Sequence, residues 1–196
     1  MKIFTVIFIF IFTFRLDASC LLKMNPDSNN LNSKLIKDCF ANLNRTCFFQ
    51  HFPKTFNELE NLYGYSDSTG GSVFYANYVE HINFLFSEFD VDADSKKIIQ
   101  ICLNGKWDAD AVSLLQSNVR DLLLNYNRVF LATLFKFKNE EQESFWYFIF
   151  DGPHRNSYGN RVFHEALLNQ TKVFYPEKVE GIRNKIKLMI LTEEKD

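Results

Sequence analysis

The chain has 196 residues, 46% of them apolar and 16% aromatic, with 22 basic and 24 acidic side chains and a formal charge of −2. A near-neutral chain without a basic cluster gives nucleic acid no electrostatic footprint, which excludes a phosphate-tracking surface. Its length and apolar content suit one folded domain.

Residues 1–19 read as an export signal. Lys2 supplies the positive start, Ile3 to Phe14 is apolar apart from Thr5 and Thr13, and Ala18-Ser19 offers small residues for cleavage. The apolar run is too short to span a bilayer core of about 30 Å comfortably as a helix. Removing these residues leaves 20 basic and 23 acidic side chains, a formal charge of −3, and discards only five of the 22 phenylalanines.

Leu16-Asp17-Ala18-Ser19-Cys20 resembles the lipobox of bacterial lipoproteins, in which small residues precede a cysteine that becomes lipidated. It departs from that pattern at Asp17, where the family has an aliphatic residue, and Arg15 ends the apolar region early. The resemblance implies a lipid at Cys20 and membrane attachment through it; simple secretion stays open beside it.

Four cysteines, Cys20, Cys39, Cys47 and Cys102, permit three pairings if Cys20 is not lipidated. Cys39 and Cys47 are eight apart and flank an expected helix end, so a disulfide between them is expected in an oxidising compartment. No Cys-x-x-Cys pair occurs and no cysteine has histidine at ligand spacing, so no metal site is expected.

Residues 20–32 are mostly polar and turn-rich and read as a flexible tether, with one domain over 33–196. Ser33 is placed to cap a helix whose apolar face is Leu35, Ile36, Cys39, Phe40 and Leu43. Pro53 introduces a second short helix with Phe56, Leu59 and Leu62 on one side, ending near Gly64; Ser66–Gly71 is loop. His51, beside Phe52-Pro53, is expected at a helix entry. Tyr75, Tyr78, Val79, Ile82, Leu85, Phe86 and Phe89 recur at spacings of three and four, which predicts a helix over about 72–88 with His81 at the stripe's edge. Phe84 falls on the opposite face without a rationale.

A helix over about 95–103, ended by Asn104-Gly105, comes next, capped by Asp94 or Ser95. Another is capped by Asp108 or Asp110 and carries Leu114, Leu115, Val119, Leu122 and Leu123. Phe130 to Phe137 continues as helix in preference to strand. The densest apolar run, Phe145-Trp146-Tyr147-Phe148-Ile149-Phe150, follows Asn139, a candidate cap, and Glu140, Glu141 and Glu143, which suit a helix start. Gly152-Pro153 supply a stop, so a buried helix over about 140–150 is expected, in preference to a central strand. Arg155–Gly159 reads as loop, Val162–Leu168 as a short helix, and Pro176 opens a final helix with Val179, Ile182, Ile186 and Met189. The fold class expected is all-α: a single-domain helical bundle or orthogonal array of about seven or eight helices.

Few residues carry recognisable chemistry. Asp90-Val91-Asp92-Ala93-Asp94 opens like a calcium loop, but the glycine and glutamate that an EF-hand needs at places six and twelve are Ser95 and Ile101. It reads as a solvated turn between helices. Asp151, His154, His164 and Glu165 are the one cluster with acid-base or metal-ligating residues, and a convergent arrangement would make a metal-dependent or acid-base hydrolase. Their spacing does not match His-Glu-x-x-His. Neither a Gly-x-Ser-x-Gly elbow nor a phosphate loop is present, and no motif implies a cofactor. Asn44-Arg45-Thr46 and Asn169-Gln170-Thr171 are glycosylation acceptors in a eukaryotic host.

Aromatic residues gather at two loops: Tyr63, Tyr65, Phe74, Tyr75 and Tyr78 around Ser66–Gly71, and Tyr158, Phe174 and Tyr175 later. Together with the acidic turns Asp90, Asp92, Asp94, Asp108 and Asp110 they form a candidate surface for binding another protein, because tyrosine buries large area at low entropy cost. The functional expectation is therefore an exported helical protein that binds an as yet unspecified protein, by analogy with immunity or inhibitor proteins that block a toxic enzyme. The alternatives are the hydrolase above and a lipid-anchored structural protein of the envelope. Oligomeric state is left open.

Overall fold

A computed structural model describes residues 26–66, 70–108 and 110–191, with side chains described for 32–65, 70–108 and 110–189. The fold is all-α. Ten α-helices occur among the described residues, two or three more than the sequence pattern suggests: α1 (Pro26–Ala41), α2 (Arg45–His51), α3 (Phe56–Tyr63), α4 (Tyr78–Phe86), α5 (Val91–Cys102), α6 (Ala111–Asn125), α7 (Asn127–Leu134), α8 (Asn139–Phe150), α9 (Tyr158–Phe174) and α10 (Val179–Leu191). A two-residue antiparallel ladder joins β1 (Tyr65–Ser66) to β2 (Gly70–Gly71).

Helix α8 is the hub. Phe145, Trp146, Phe148, Ile149 and Phe150 are all fully buried, while Tyr147 alone of the run reaches the surface. The rings of Phe145 and Phe130 on α7, Phe148 and Phe56 on α3, and Phe150 and Phe163 on α9 lie 5.5–6.0 Å apart between centroids. Helices α5, α6 and α10 pack against the remaining sides. A helix apolar on nearly every side must be enclosed in this way. Asn139 is its first residue rather than its cap; Lys138 holds the cap position, and its N–H donates to the Glu141 carboxylate at 2.8 Å. Gly152-Pro153 end the helix and leave carbonyls without intrahelical partners. Helix α6 satisfies them: Gln116 Nε2 donates to Phe148 O and Asp151 O at 2.5 and 3.0 Å, and the Arg120 guanidinium donates twice to Ile149 O.

Several expected boundaries move. Helix α1 starts at Pro26, where a missing N–H costs nothing, so residues 26–32 belong to a helix rather than a tether, and Ser33 is a buried residue inside it, not its cap. Leu43, expected on the apolar face, lies beyond the helix end with φ 52° and is 77% exposed. Helix α2 has no counterpart in the sequence reading; Asn44 caps it by accepting from Cys47 N–H at 2.9 Å, and His51 closes it instead of opening the next. A disulfide joins Cys39 to Cys47 with their Cα atoms 5.5 Å apart, tying α1 to α2.

The helix expected over 72–88 is shorter. Gly71 pairs in the ladder, Tyr75–Asn77 is a 3₁₀ turn, and α4 begins only at Tyr78. Its buried face is His81, Ile82 and Leu85, with Val79 exposed. That rotation explains Phe84, whose ring meets Phe40 and Phe48 edge-on at 5.3 and 5.2 Å. Helix α9 starts at Tyr158, capped by Ser157, and runs well past the segment expected for it. Pro176 opens a 3₁₀ turn that leads into α10.

Candidate functional site

The loops before α6 and after α8, together with β1 and the 3₁₀ turn Tyr75–Asn77, carry a linked set of polar and aromatic side chains. At its centre is Trp107, 38% exposed, fixed at two points: its backbone N–H donates to Asp151 Oδ2 at 2.6 Å, and its indole N–H donates to Ser113 Oγ at 3.1 Å. The Ser113 hydroxyl in turn donates to Asp108 O at 3.2 Å. On one side, Arg155 forms a 2.5 Å ion pair with Asp151, donates to the Tyr147 hydroxyl at 2.6 Å and lies over the Tyr147 ring. Burial works against the Arg155 charge, but the hydrogen bond and attraction of Asp151 outweigh it and raise its pKa.

On the other side lies a cavity of about 290 Å³, walled by Tyr63, Tyr65, Tyr75, Asp108 and Asp110, with Leu59 and Val112 contributing apolar surface. The Tyr75 hydroxyl donates to Asp110 Oδ2 at 2.6 Å, and the Tyr78 hydroxyl reaches Oδ1 at 3.5 Å. The Tyr65 and Tyr75 rings stand 5.2 Å apart and those of Tyr75 and Tyr78 6.4 Å apart. The bond to Asp110 is the main reason the Tyr75 phenol is pushed up to about 12, because an adjacent carboxylate disfavours phenolate. Asp110 sits at the cap position of α6 but does not cap it with its side chain; its backbone adopts φ 63°, ψ −112°. A non-glycine residue there is strained, and the tyrosine hydroxyls and helix start hold it in place.

Behind this cavity Tyr63 is 1% exposed, so it is a core residue and not an exposed anchor. Its hydroxyl bonds to His81 Nδ1, and His81 is buried rather than at a boundary. Tyr65, 56% exposed, does stand at the rim. Phe74, also expected near the loop surface, is fully buried, whereas Tyr158 is exposed and Tyr175 donates to Arg128 O.

The acidic run is not one solvated patch. Asp90 caps α5 by accepting from Asp92 and Ala93 N–H, and Asp92 faces solvent. Asp94 turns inward as a buried residue, 2.5 Å from Arg45. A carboxylate can be buried because that guanidinium, which also donates to Leu85 O and lies over the Phe49 ring, supplies the countercharge.

The Asp151, His154, His164 and Glu165 grouping is not arranged as a metal-ligand set. Asp151 is occupied by Trp107 and Arg155, and His154 and Glu165 are exposed. His164 lies against Phe150, its pKa lowered by burial, with Nε2 buried and without a hydrogen-bond partner. Among the described residues no group of three His, Cys, Asp or Glu side chains is placed to hold a metal ion. Of the two glycosylation sequons, the one at 169–171 has an exposed acceptor, Asn169, while its Thr171 is fully buried and donates to Leu167 O.

Comparison of the chain with protein-family models, with curated proteins and with solved structures finds no match to any of them. The functional reading therefore rests on the geometry alone. Trp107, Tyr147, Gln116, Arg120 and Arg155 escape the sequence reading. The one signal for Trp107 is a tryptophan placed two residues after Gly105 of the Asn104-Gly105 turn, outside any apolar stripe.

Proposed function

We propose that this is an exported helical protein that acts by binding another protein, in the manner of an inhibitor or immunity protein. The observation that carries the reading is Trp107: a large aromatic ring held at the surface by two hydrogen bonds, flanked by Tyr147 and Arg155 on one side and by the Tyr65–Asp110 cavity on the other. An exposed aromatic that is already ordered loses little entropy on binding, and tryptophan, tyrosine and arginine are the side chains that dominate interface energies. Export is supported by the Cys39–Cys47 disulfide, which belongs to an oxidising compartment, and by the apolar start of the sequence. No helix among the described residues is long and apolar enough to cross a membrane. Cys20, the candidate lipid site, lies outside the described residues, as does the whole of the 1–19 segment; the intact mass of the mature chain separates lipidation from simple secretion.

The test is affinity capture from the extracytoplasmic fraction of the source cell with the wild-type chain and with Trp107→Ala, followed by titration of the captured protein. Retention of a partner by the wild type, with affinity reduced by about 2 kcal/mol or more in the variant, supports the reading. Equal retention by both chains removes Trp107 from the interface, and capture of no partner by the wild type removes the reading.

A further inference from the structure

We propose that the cavity between the β1–β2 ladder and the start of α6 binds a protonated alkylamine. Among the described residues its lining includes the rings of Tyr65 and Tyr75 and the aspartates Asp108 and Asp110, with the buried Tyr63 behind them, and no lysine, arginine or histidine. Ring faces attract cations through their quadrupole, and a carboxylate accepts ammonium N–H bonds, so both kinds of wall favour the same guest. Asp110 is the key residue. Its carboxylate accepts from the hydroxyls of Tyr75 and Tyr78, and among the described residues no cation lies within ion-pair distance of it. Nor does any described lysine or arginine sit over the rings of Tyr65, Tyr75 or Tyr78, whereas Phe135 and Tyr147 each carry one and Phe49 carries two. The rings nearest Asp110 have no internal cation among the described residues.

An anion is the poorer guest. The start of α6 faces the cavity, but its partial positive charge of roughly half a unit is outweighed by the full charges of Asp108 and Asp110. A volume of about 290 Å³ accommodates an ammonium head with a short alkyl chain, the chain lying against Tyr65, Leu59 and Val112. The inference stands whether or not the partner-binding reading holds, because the guest is defined by its chemistry: a free amine or a lysine side chain presented by a protein.

The experiment is calorimetric titration of the full mature chain with n-butylammonium chloride, with the tripeptide Gly-Lys-Gly, and with 1-butanol as a neutral probe of similar shape, with the tyrosine ring NMR signals followed in parallel. Saturable binding of either amine that shifts the Tyr65 and Tyr75 signals, with none by 1-butanol, is expected. Tighter binding of n-butylammonium assigns the guest to a free amine, and tighter binding of the peptide assigns it to a lysine side chain. Asp110→Asn should weaken the better probe about tenfold at an unchanged melting midpoint. Should that variant fail to fold, Tyr65→Ala at the exposed rim should weaken it about threefold. Absence of saturation with both amines, equal binding of 1-butanol, or unaltered affinity in these variants overturns the proposal.

Discussion

The hydroxyl of Tyr63 lies 2.9 Å from Nδ1 of His81, and the rings of Phe40, Phe48 and Phe74 enclose the pair at 4.5–5.3 Å from the imidazole. Burial pushes His81 down from its ordinary value of 6.5 to about 4, with Glu80 pulling upward and Lys37 adding to the fall. The imidazole is therefore neutral in the folded chain at neutral pH.

A folded-state pKa below the unfolded one means that the unfolded chain binds the proton first. The stability contributed by neutral His81 is fully present above pH 6.5 and is lost as the pH falls from 6.5 to about 4, by up to about 3 kcal/mol. Urea midpoints measured across that window should fall steeply, and His81→Asn should flatten the dependence. An identical slope in the variant would falsify the assignment.

Trp146, fully buried at the centre of α8, meets the Phe145 ring at 5.3 Å. Its replacement by alanine removes the largest fully buried side chain among the described residues and should cost about 3 to 5 kcal/mol. Chemical denaturation reads this directly; a loss under about 1 kcal/mol is incompatible with the enclosure of α8.

The Arg45–Asp94 pair joins the start of α2 to the first turn of α5. Asp94→Asn leaves the guanidinium without its countercharge and should destabilise by about 3 kcal/mol, whereas Arg45→Met combined with Asp94→Leu should recover most of that loss. The thermal melts of Arg45→Met, of Asp94→Leu and of the double variant decide it, and strict additivity of the two single losses is the contrary outcome.

Reduction of Cys39–Cys47, or their paired replacement by serine, frees a short loop and should lower stability by about 2 to 3 kcal/mol in the chain-entropy account. Cys102 is fully buried and burial holds its thiol protonated, so it should resist alkylation in the native chain and react only on unfolding. Urea denaturation of the reduced chain or the serine variant checks the first statement, and mass spectrometry after iodoacetamide treatment, with and without denaturant, checks the second.

How much of this was legible varies with the range of the forces involved. Helix α8 could be read because its start charges, its apolar run and its Gly152-Pro153 stop are all local. Helix α2 could not: it spans only seven residues, too short for a period to emerge, and owes its position to Asn44 and to a disulfide with α1. The stripe from Tyr75 to Phe89 predicts too early a helix start because a 3₁₀ turn places Tyr75 against Asp110, a residue distant in the chain, and not against the helix's own neighbours. Asp94 carries no local sign of burial, since its partner Arg45 comes from another helix. At the candidate site, Tyr65, Tyr75, Tyr78 and the aspartates of the α5–α6 loop stood out by type, while Trp107, Tyr147 and Arg155 are brought together only by tertiary packing.

Helix α6 begins at the strained Asp110 and, farther along, grips the carbonyls of α8 through Gln116 and Arg120. It acts as a rigid strut between the surface and the centre of the molecule. A load applied at the cavity mouth is transmitted to the hub instead of being absorbed by a pliable loop, so amides near Ile149 should report occupancy in hydrogen exchange although no guest can touch them.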